Sequence, residues 1–387
     1  MREIAYVVAT SFFGNDIAAS ELKSIVYDAF AFDAPLRKIS DNTYILELFN
    51  GPTLTFKDYG ARFTARLMQY LDSRKPGYKR NILVATTGNS GAATANGFFK
   101  MEGIKVSVLY PKGLLSRTQT AQFSSLGENI HPVEVLGTVD DCKRLLQSAI
   151  SDSGLTSLNL TGANSINIAR LIPQIAFSMH AYARLLAAGV KDADKAVYSM
   201  PCGNLSNLVA TIMAKRMGLP TGLVIAATNA NNHLSPLVNG VDTKNVGQTP
   251  IRTTAPSLDM TYPSGWPRLN YIYNGDLQAM KREILPVSVG DKDVADTINA
   301  LRNDSGYTVD PHGAIAYRAA TDNNSGKVPM VIFATGHPAK QLDIMTRITA
   351  SAIELPVQLT RFMGAKRHPI MIPPTLPALR KHLLNTQ

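Results

Sequence analysis

Short apolar runs alternate along this chain with stretches whose apolar residues recur at helical spacing. Thr43–Leu48, Asn81–Ala85, Ile104–Tyr110 and Ile130–Val135 read as strands, and so do Ala196–Met200, Leu223–Ala227 and Val328–Ala334. They are rich in Val, Ile and Leu with little polar alternation, the pattern of strands covered on both faces. Between them, Ala61–Leu71, Gly91–Met101, Arg117–Leu126 and Cys142–Ile150 place apolar residues on one helical face. Ile166–Leu186, Leu205–Met217, Lys292–Arg302 and Ala339–Ala350 do the same. Strand–helix alternation of this kind predicts an α/β protein with mainly parallel sheets. Asn229–Pro267 has no clear period, is dense in Asn, Pro, Thr and Gly, and reads as a long surface loop. The tail from His368 carries Pro369, Pro373, Pro374 and Pro377 before a helical end, Ala378–Leu384. At 387 residues the chain has room for two or three domains. The expected division is a short helical extension over 1–42, a larger α/β domain over 43–80 and 160–387, and a smaller one over 81–159.

Composition narrows the function. With 45% hydrophobic and 18% charged residues the chain is neither fibrous nor disordered. No stretch approaches the ~18 unbroken apolar residues of a membrane span. The N-terminus lacks the basic lead and apolar run of a signal peptide, so no membrane or secretory role is expected. Cys142 and Cys202 sit in no CxxC pair and suit a reducing, cytoplasmic setting. The seven histidines are scattered without HxxxH or HExxH spacing, so no metal site is expected. The net charge of +10 is spread along the chain, and its densest clusters, Lys366-Arg367-His368 and Arg380-Lys381-His382, are short. No aromatic-basic platform accompanies them, so nucleic acid is not the expected partner. A positive field that attracts a small anionic substrate is the better use of that charge.

The chemistry gathers at the ends of strands. Asn81–Ala85 runs into Thr86-Thr87-Gly88-Asn89-Ser90-Gly91, Ala196–Met200 into Pro201-Cys202-Gly203-Asn204-Leu205-Ser206-Asn207, and Val328–Ala334 into Thr335-Gly336-His337-Pro338. Each opens a helix. In open α/β sheets ligands sit outside the carboxyl ends of strands, where helix N-termini offer unpaired N–H groups. Each is equally an ordinary loop capped by Ser, Thr or Asn. Gly203–Asn207 is neither GxGxxG nor GxxxxGK[ST], but it can form a phosphate nest of backbone amides. Lys57, after Asn50-Gly51-Pro52-Thr53-Leu54-Thr55-Phe56, falls at a helix start. A desolvated lysine there has a depressed pKa and can form a Schiff base; the alternative is a surface lysine paired with Asp58. In Asn164-Ser165-Ile166-Asn167-Ile168-Ala169-Arg170, Ser165 can cap a helix with Arg170 about a turn and a half on. Pointing into a cleft, the two would grip a phosphate or carboxylate; otherwise this is a capped helix with an exposed arginine.

Taken in order, these segments resemble the threonine synthases, fold type II pyridoxal phosphate (PLP) enzymes, and the resemblance implies two open, mainly parallel sheet domains. The resemblance is carried by Leu48–Asp58, Thr87–Ala93, Asn164–Arg170, Gly203–Asn207, Trp266-Pro267-Arg268, Asp310–Arg318 and Thr335–Lys340. It implies that Lys57 holds PLP as a Schiff base beside Phe56, and that Asn89 bonds the cofactor's 3′-oxygen. It also implies that Gly203, Asn204, Leu205, Ser206 and Asn207 cradle its phosphate and that Thr335 meets its pyridine nitrogen. Thr87, Ser90, Asn164, Ser165 and Arg170 would hold the substrate. The implied reaction converts O-phospho-L-homoserine and water to L-threonine and phosphate, in the cytoplasm, by a monomer or homodimer. The alternatives are a related lyase releasing 2-oxobutyrate, or acting on another phosphorylated amino acid, and a weakly catalytic PLP-binding paralogue. The chain departs from the family's usual pattern at Asn50, where His is common, and at Asn89 and Asn207, where Asp is common. Gly313 and Gly336 replace larger residues, and the N-terminal extension is shorter than in the long form.

Overall fold

The structure, a computed structural model, describes residues 1–163, 167–243, 249–324 and 326–385. Among them, the strands in chain order are β1 (Leu36–Ser40), β2 (Thr43–Glu47), β3 (Arg80–Ala85), β4 (Ile104–Pro111), β5 (Ile130–Val135) and β6 (Leu160–Gly162). They continue with β7 (Val197–Pro201), β8 (Val224–Thr228), β9 (Ile284–Ser288), β10 (Met330–Ala334) and β11 (Ile370–Ile372). One sheet has the order β1-β2-β10-β7-β8-β9 and the other β11-β5-β4-β3-β6. Every pairing is parallel except the β1–β2 hairpin. The fold is therefore α/β with mainly parallel sheets, as the alternation predicted, and two of them, as the resemblance implied.

The chain divides into two compact units. The first comprises 1–23, 30–50 and 171–354; the second comprises 24–29, 51–170 and 355–387. The second unit thus begins its main run at Gly51 rather than residue 81 and takes in the tail from Leu355.

In the first unit β2, β7, β8 and β10 are buried along their whole length, which explains their unbroken apolar character. The helix Pro311–Asn323 packs on them through Ala314, Ile315, Ala316, Ala319 and Ala320, all 0% exposed. Alanines on that face let the helix lie close to the sheet. Asp310 caps it, its Oδ1 accepting from the Gly313 N–H at 2.9 Å.

In the second unit successive strand residues serve opposite faces, as the period of two requires. Ile82, Val84, Val106 and Val108 join a core with Ala92, Ala95 and Phe98 of the helix Asn89–Phe98. Leu83 and Leu109 join the other, with Val133, Val135, Leu145 and Leu146. The C-terminal helix Leu376–Asn385 adds Leu379 and Leu383 to that second core, so the proline-spaced tail is part of this unit.

Candidate active site

Each unit carries its own group of candidate residues. In the second unit, the helix Lys57–Ser73 begins at Lys57 itself. Phe56 stands at its N-cap without a side-chain cap, and the Asp58 N–H donates to the Thr55 carbonyl at 3.1 Å. The preceding turn is fixed by the buried Asp58, whose carboxylate accepts from the Thr53 N–H at 2.9 Å and from the Thr53 hydroxyl. Lys57 is partly buried, with Nζ 5.9 Å from the centre of the Phe56 ring. Loss of water around the amine, reinforced by the positive charge of Arg170, lowers its pKa from 10.5 to about 8.

Arg170 is 4% exposed, which rules out the exposed-arginine alternative. Its Nη1 donates to the Ala163 carbonyl at 2.7 Å and to Thr94 Oγ1 at 3.1 Å. Burial pulls its pKa down to about 10, against the pull of the Asp58 carboxylate. Gly60 lies against the same residue: a Cβ there would stand 2.5 Å from the Arg170 carbonyl oxygen. Asn164 and Ser165 lie outside the described residues.

At the end of β3 the backbone turns through Gly88 at φ 118°, a conformation that a side chain would oppose. Thr86 Oγ1 ties the turn together by accepting from the Gly88 N–H at 2.9 Å and the Gly91 N–H at 2.8 Å. Gly88 offers no side-chain cap to the helix that starts at Asn89. Thr87 is exposed and Ser90 partly buried. Asn89 Oδ1 is buried with no hydrogen-bond partner among the described residues.

In the first unit, β7 runs through Cys202 into the loop that opens the helix Ser206–Arg216. Leu205 takes the left-handed conformation at φ 62° as N-cap, again without a side-chain cap. Gly203 has no room for a side chain, since a Cβ would stand 2.8 Å from the Ser257 carbonyl oxygen. Asn204 Oδ1 accepts from the Ser264 N–H at 3.1 Å, and His233 Nε2 lies 3.1 Å from the Gly203 carbonyl oxygen. Ser206 is partly buried, and the buried Asn207 keeps an Oδ1 without a partner among the described residues. Cys202 is buried, and burial pushes its thiol pKa well up, so it is an inert packing residue.

Thr335 is buried at the end of β10. Beside it His337 Nδ1 accepts from the Ala339 N–H at 3.1 Å, and its ring meets Phe49 edge-on at 5.4 Å. The two unusual glycines border one carboxylate. A Cβ on Gly336 would lie 3.2 Å from Asp310 Oδ2, and one on Gly313 3.2 Å from Asp310 Oδ1. Asp310 Oδ2 is also 2.7 Å from His312 Nδ1.

Thr86 and His233, which hydrogen-bond to the two loops, were not among the site residues expected from the sequence. Thr86 carried a signal, as the first polar residue after a strand, two residues before a glycine. His233 carried none. Chemically, the start of the helix Ser206–Arg216, which has no side-chain cap, suits an anion, and a lysine of lowered pKa suits Schiff-base and proton-transfer chemistry.

A family described as pyridoxal-phosphate dependent enzymes matches residues 34–336. The threonine synthase of Escherichia coli (strain K12) is 35% identical over 382 residues, covering 98% of this chain and 87% of the relative. That of Haemophilus influenzae is 37% identical over 351 residues, covering 90% and 80%. The crystal structure of PLP-bound threonine synthase from Brucella melitensis superposes with a TM-score of 0.91 at 30% identity, covering 99% of this chain and 88% of that one.

Proposed function

The chain belongs to the threonine synthases, a family of pyridoxal-phosphate-dependent enzymes, and from that premise we infer which of its residues do the work. The enzyme is a PLP-dependent lyase of amino-acid biosynthesis that converts O-phospho-L-homoserine and water to L-threonine and phosphate. Its substrate is a small molecule, and no helix among the described residues is long and apolar enough to cross a membrane. A cytoplasmic monomer or homodimer with no nucleic-acid partner is the reading we carry forward; the two free cysteines and the dispersed basic residues support it.

The residues present fit the cofactor. Lys57 offers an amine of lowered pKa, and Gly203–Asn207 leads into a helix start without a side-chain cap. Asn89 and Asn207 hold buried side-chain oxygens without a partner among the described residues, as a bound polar ligand would require. Lys57 would carry PLP on its amine beside Phe56. Asn89 would bond its 3′-oxygen, the amides of Gly203, Asn204, Leu205, Ser206 and Asn207 would receive its phosphate, and Thr335 would meet its ring nitrogen.

Bound there, the cofactor supplies an electron sink for negative charge at the substrate's Cα. Lys57 can then take the Cα proton, because an amine with a pKa of about 8 is partly neutral near pH 7. Arg170, with Thr87, Ser90, Asn164 and Ser165, would orient the substrate's anionic groups and steady the charge that grows on the departing phosphate. A proton leaves Cβ as phosphate departs from Cγ, Cγ then gains a proton, and water adds at Cβ before a proton returns to Cα.

The observation that carries this assignment is Lys57 as the first residue of a helix, with a lowered pKa. Borohydride reduction of the PLP-loaded enzyme, followed by peptide mass mapping, is expected to place the cofactor adduct on Lys57. An adduct on another lysine overturns the assignment.

A further inference from the structure

We propose that His233 is a positioning residue that aims the backbone amides of the Gly203–Asn207 loop at the cofactor phosphate. The inference rests on the reading that this loop holds that phosphate.

His233 follows β8, stands directly before the short helix Leu234–Val238 and is 2% exposed. Its Nε2 lies 3.1 Å from the Gly203 carbonyl oxygen, 30 residues earlier in the chain. A carbonyl only accepts, so Nε2 carries the proton and donates. Burial lowers the ring's pKa to about 4, so the donor is a neutral imidazole at physiological pH, and its Nδ1 is buried with no partner among the described residues. The charge of an anion in the loop is therefore met by amides and the helix start, not by His233.

The effect on the loop follows from the peptide group. A trans peptide is planar, with its C=O and N–H pointing in opposite directions. Holding the Gly203 C=O against His233 therefore turns the Asn204 N–H the other way. It also keeps a carbonyl dipole from facing the anion. The rest of the loop is braced to match. Asn204 spends its side-chain oxygen on the Ser264 N–H, Ser257 backs Gly203, and Leu205 is held left-handed so that successive N–H groups can converge. His233 is the brace whose removal frees one peptide plane without altering any residue of the loop.

The test compares two ligands on the apoprotein, pyridoxal 5′-phosphate and pyridoxal, by equilibrium absorbance titration. Both can react with Lys57, so the ratio of their dissociation constants reports the phosphate contribution. His233→Leu is expected to shrink that ratio at least about tenfold, the equivalent of about 1.4 kcal/mol. His233→Gln, which can place an amide donor near the Nε2 position, is expected to restore most of it, whereas His233→Asn, too short to reach, is not. An unchanged ratio in His233→Leu, or equal losses in the Gln and Asn variants, overturns the proposal. Should His233→Leu not fold, the Gln and Asn pair decides alone. A ratio near one in the unaltered protein instead refutes the reading of the loop as a phosphate cradle.

Discussion

Replacing Lys57 with alanine lowers kcat by about a thousandfold or more and removes the visible absorbance of bound cofactor, on this account. The size follows from losing both the covalent anchor and the proton carrier, since a positioned general base alone contributes about 10²–10⁴-fold. Steady-state phosphate release and an absorbance spectrum of the PLP-treated variant measure the two losses. Turnover retained in Lys57→Ala contradicts the assignment. The same residue sets a pH dependence in the apoprotein. Its folded pKa of about 8 lies below the ordinary 10.5, so between those values the unfolded chain binds more protons than the native one. The cost of burying the ammonium is thus complete below pH 8 and is relieved as pH rises toward 10.5. Urea unfolding should show Lys57→Ala gaining most over the unaltered apoprotein at neutral pH, with the gap closing through that window.

Arg170 carries the second large effect, because its burial binds structure and chemistry together. Replacement by Met leaves the Ala163 carbonyl and the Thr94 hydroxyl without this donor and removes a positive charge that Asp58 faces. Removing one member of such a buried set costs about 3–5 kcal/mol, and urea unfolding reads that loss. Lys keeps the charge but not the planar fork, so Arg170→Lys should recover much of the stability. It should not recover substrate binding: KM for O-phospho-L-homoserine is expected to stay more than tenfold raised. A normal KM in Arg170→Lys would make this arginine structural only.

Legibility in the sequence followed burial on both faces. β2, β4 and β5 are mostly buried, and their ends fall within a residue or so of the expected positions. The strands that escaped notice lack that signature. β1 reads LRKIS with only partial burial, β9 holds Pro286 in its middle, and β6 and β11 are three residues long. All four lie at sheet edges, where one side needs no apolar cover. The helix Pro311–Asn323 was hidden by its composition, because alanines and a glycine on its buried face give little apolar contrast. The boundary expected at residue 80 failed to coincide with the compact units for a different reason. Helix Lys57–Ser73 packs on helix Asn89–Phe98, with Gly97 pressed to the Ala61 backbone, and neither contact is local.

Within the candidate site, residues bound to a motif were readable and residues bound by a contact were not. Lys57 announced itself by its turn and helix start, and Gly203–Asn207 by following a buried strand. Asn229–Pro267 read as a featureless loop, yet Asn229 donates to Thr253 and Asp259, and that web orders the stretch whose Ser257 backs Gly203. Such bonds depend on polar side chains meeting across sequence distance, which no period or spacing encodes. His233 belongs to the same segment, and its proposed role rests on the hydrogen bond to the Gly203 carbonyl.

The central claim is the reaction itself, and a product assay tests it most directly. Purified protein, PLP and O-phospho-L-homoserine are incubated, and phosphate and amino-acid products are both quantified. The account predicts L-threonine appearing one-for-one with phosphate. Phosphate accompanied by 2-oxobutyrate in place of threonine would contradict it.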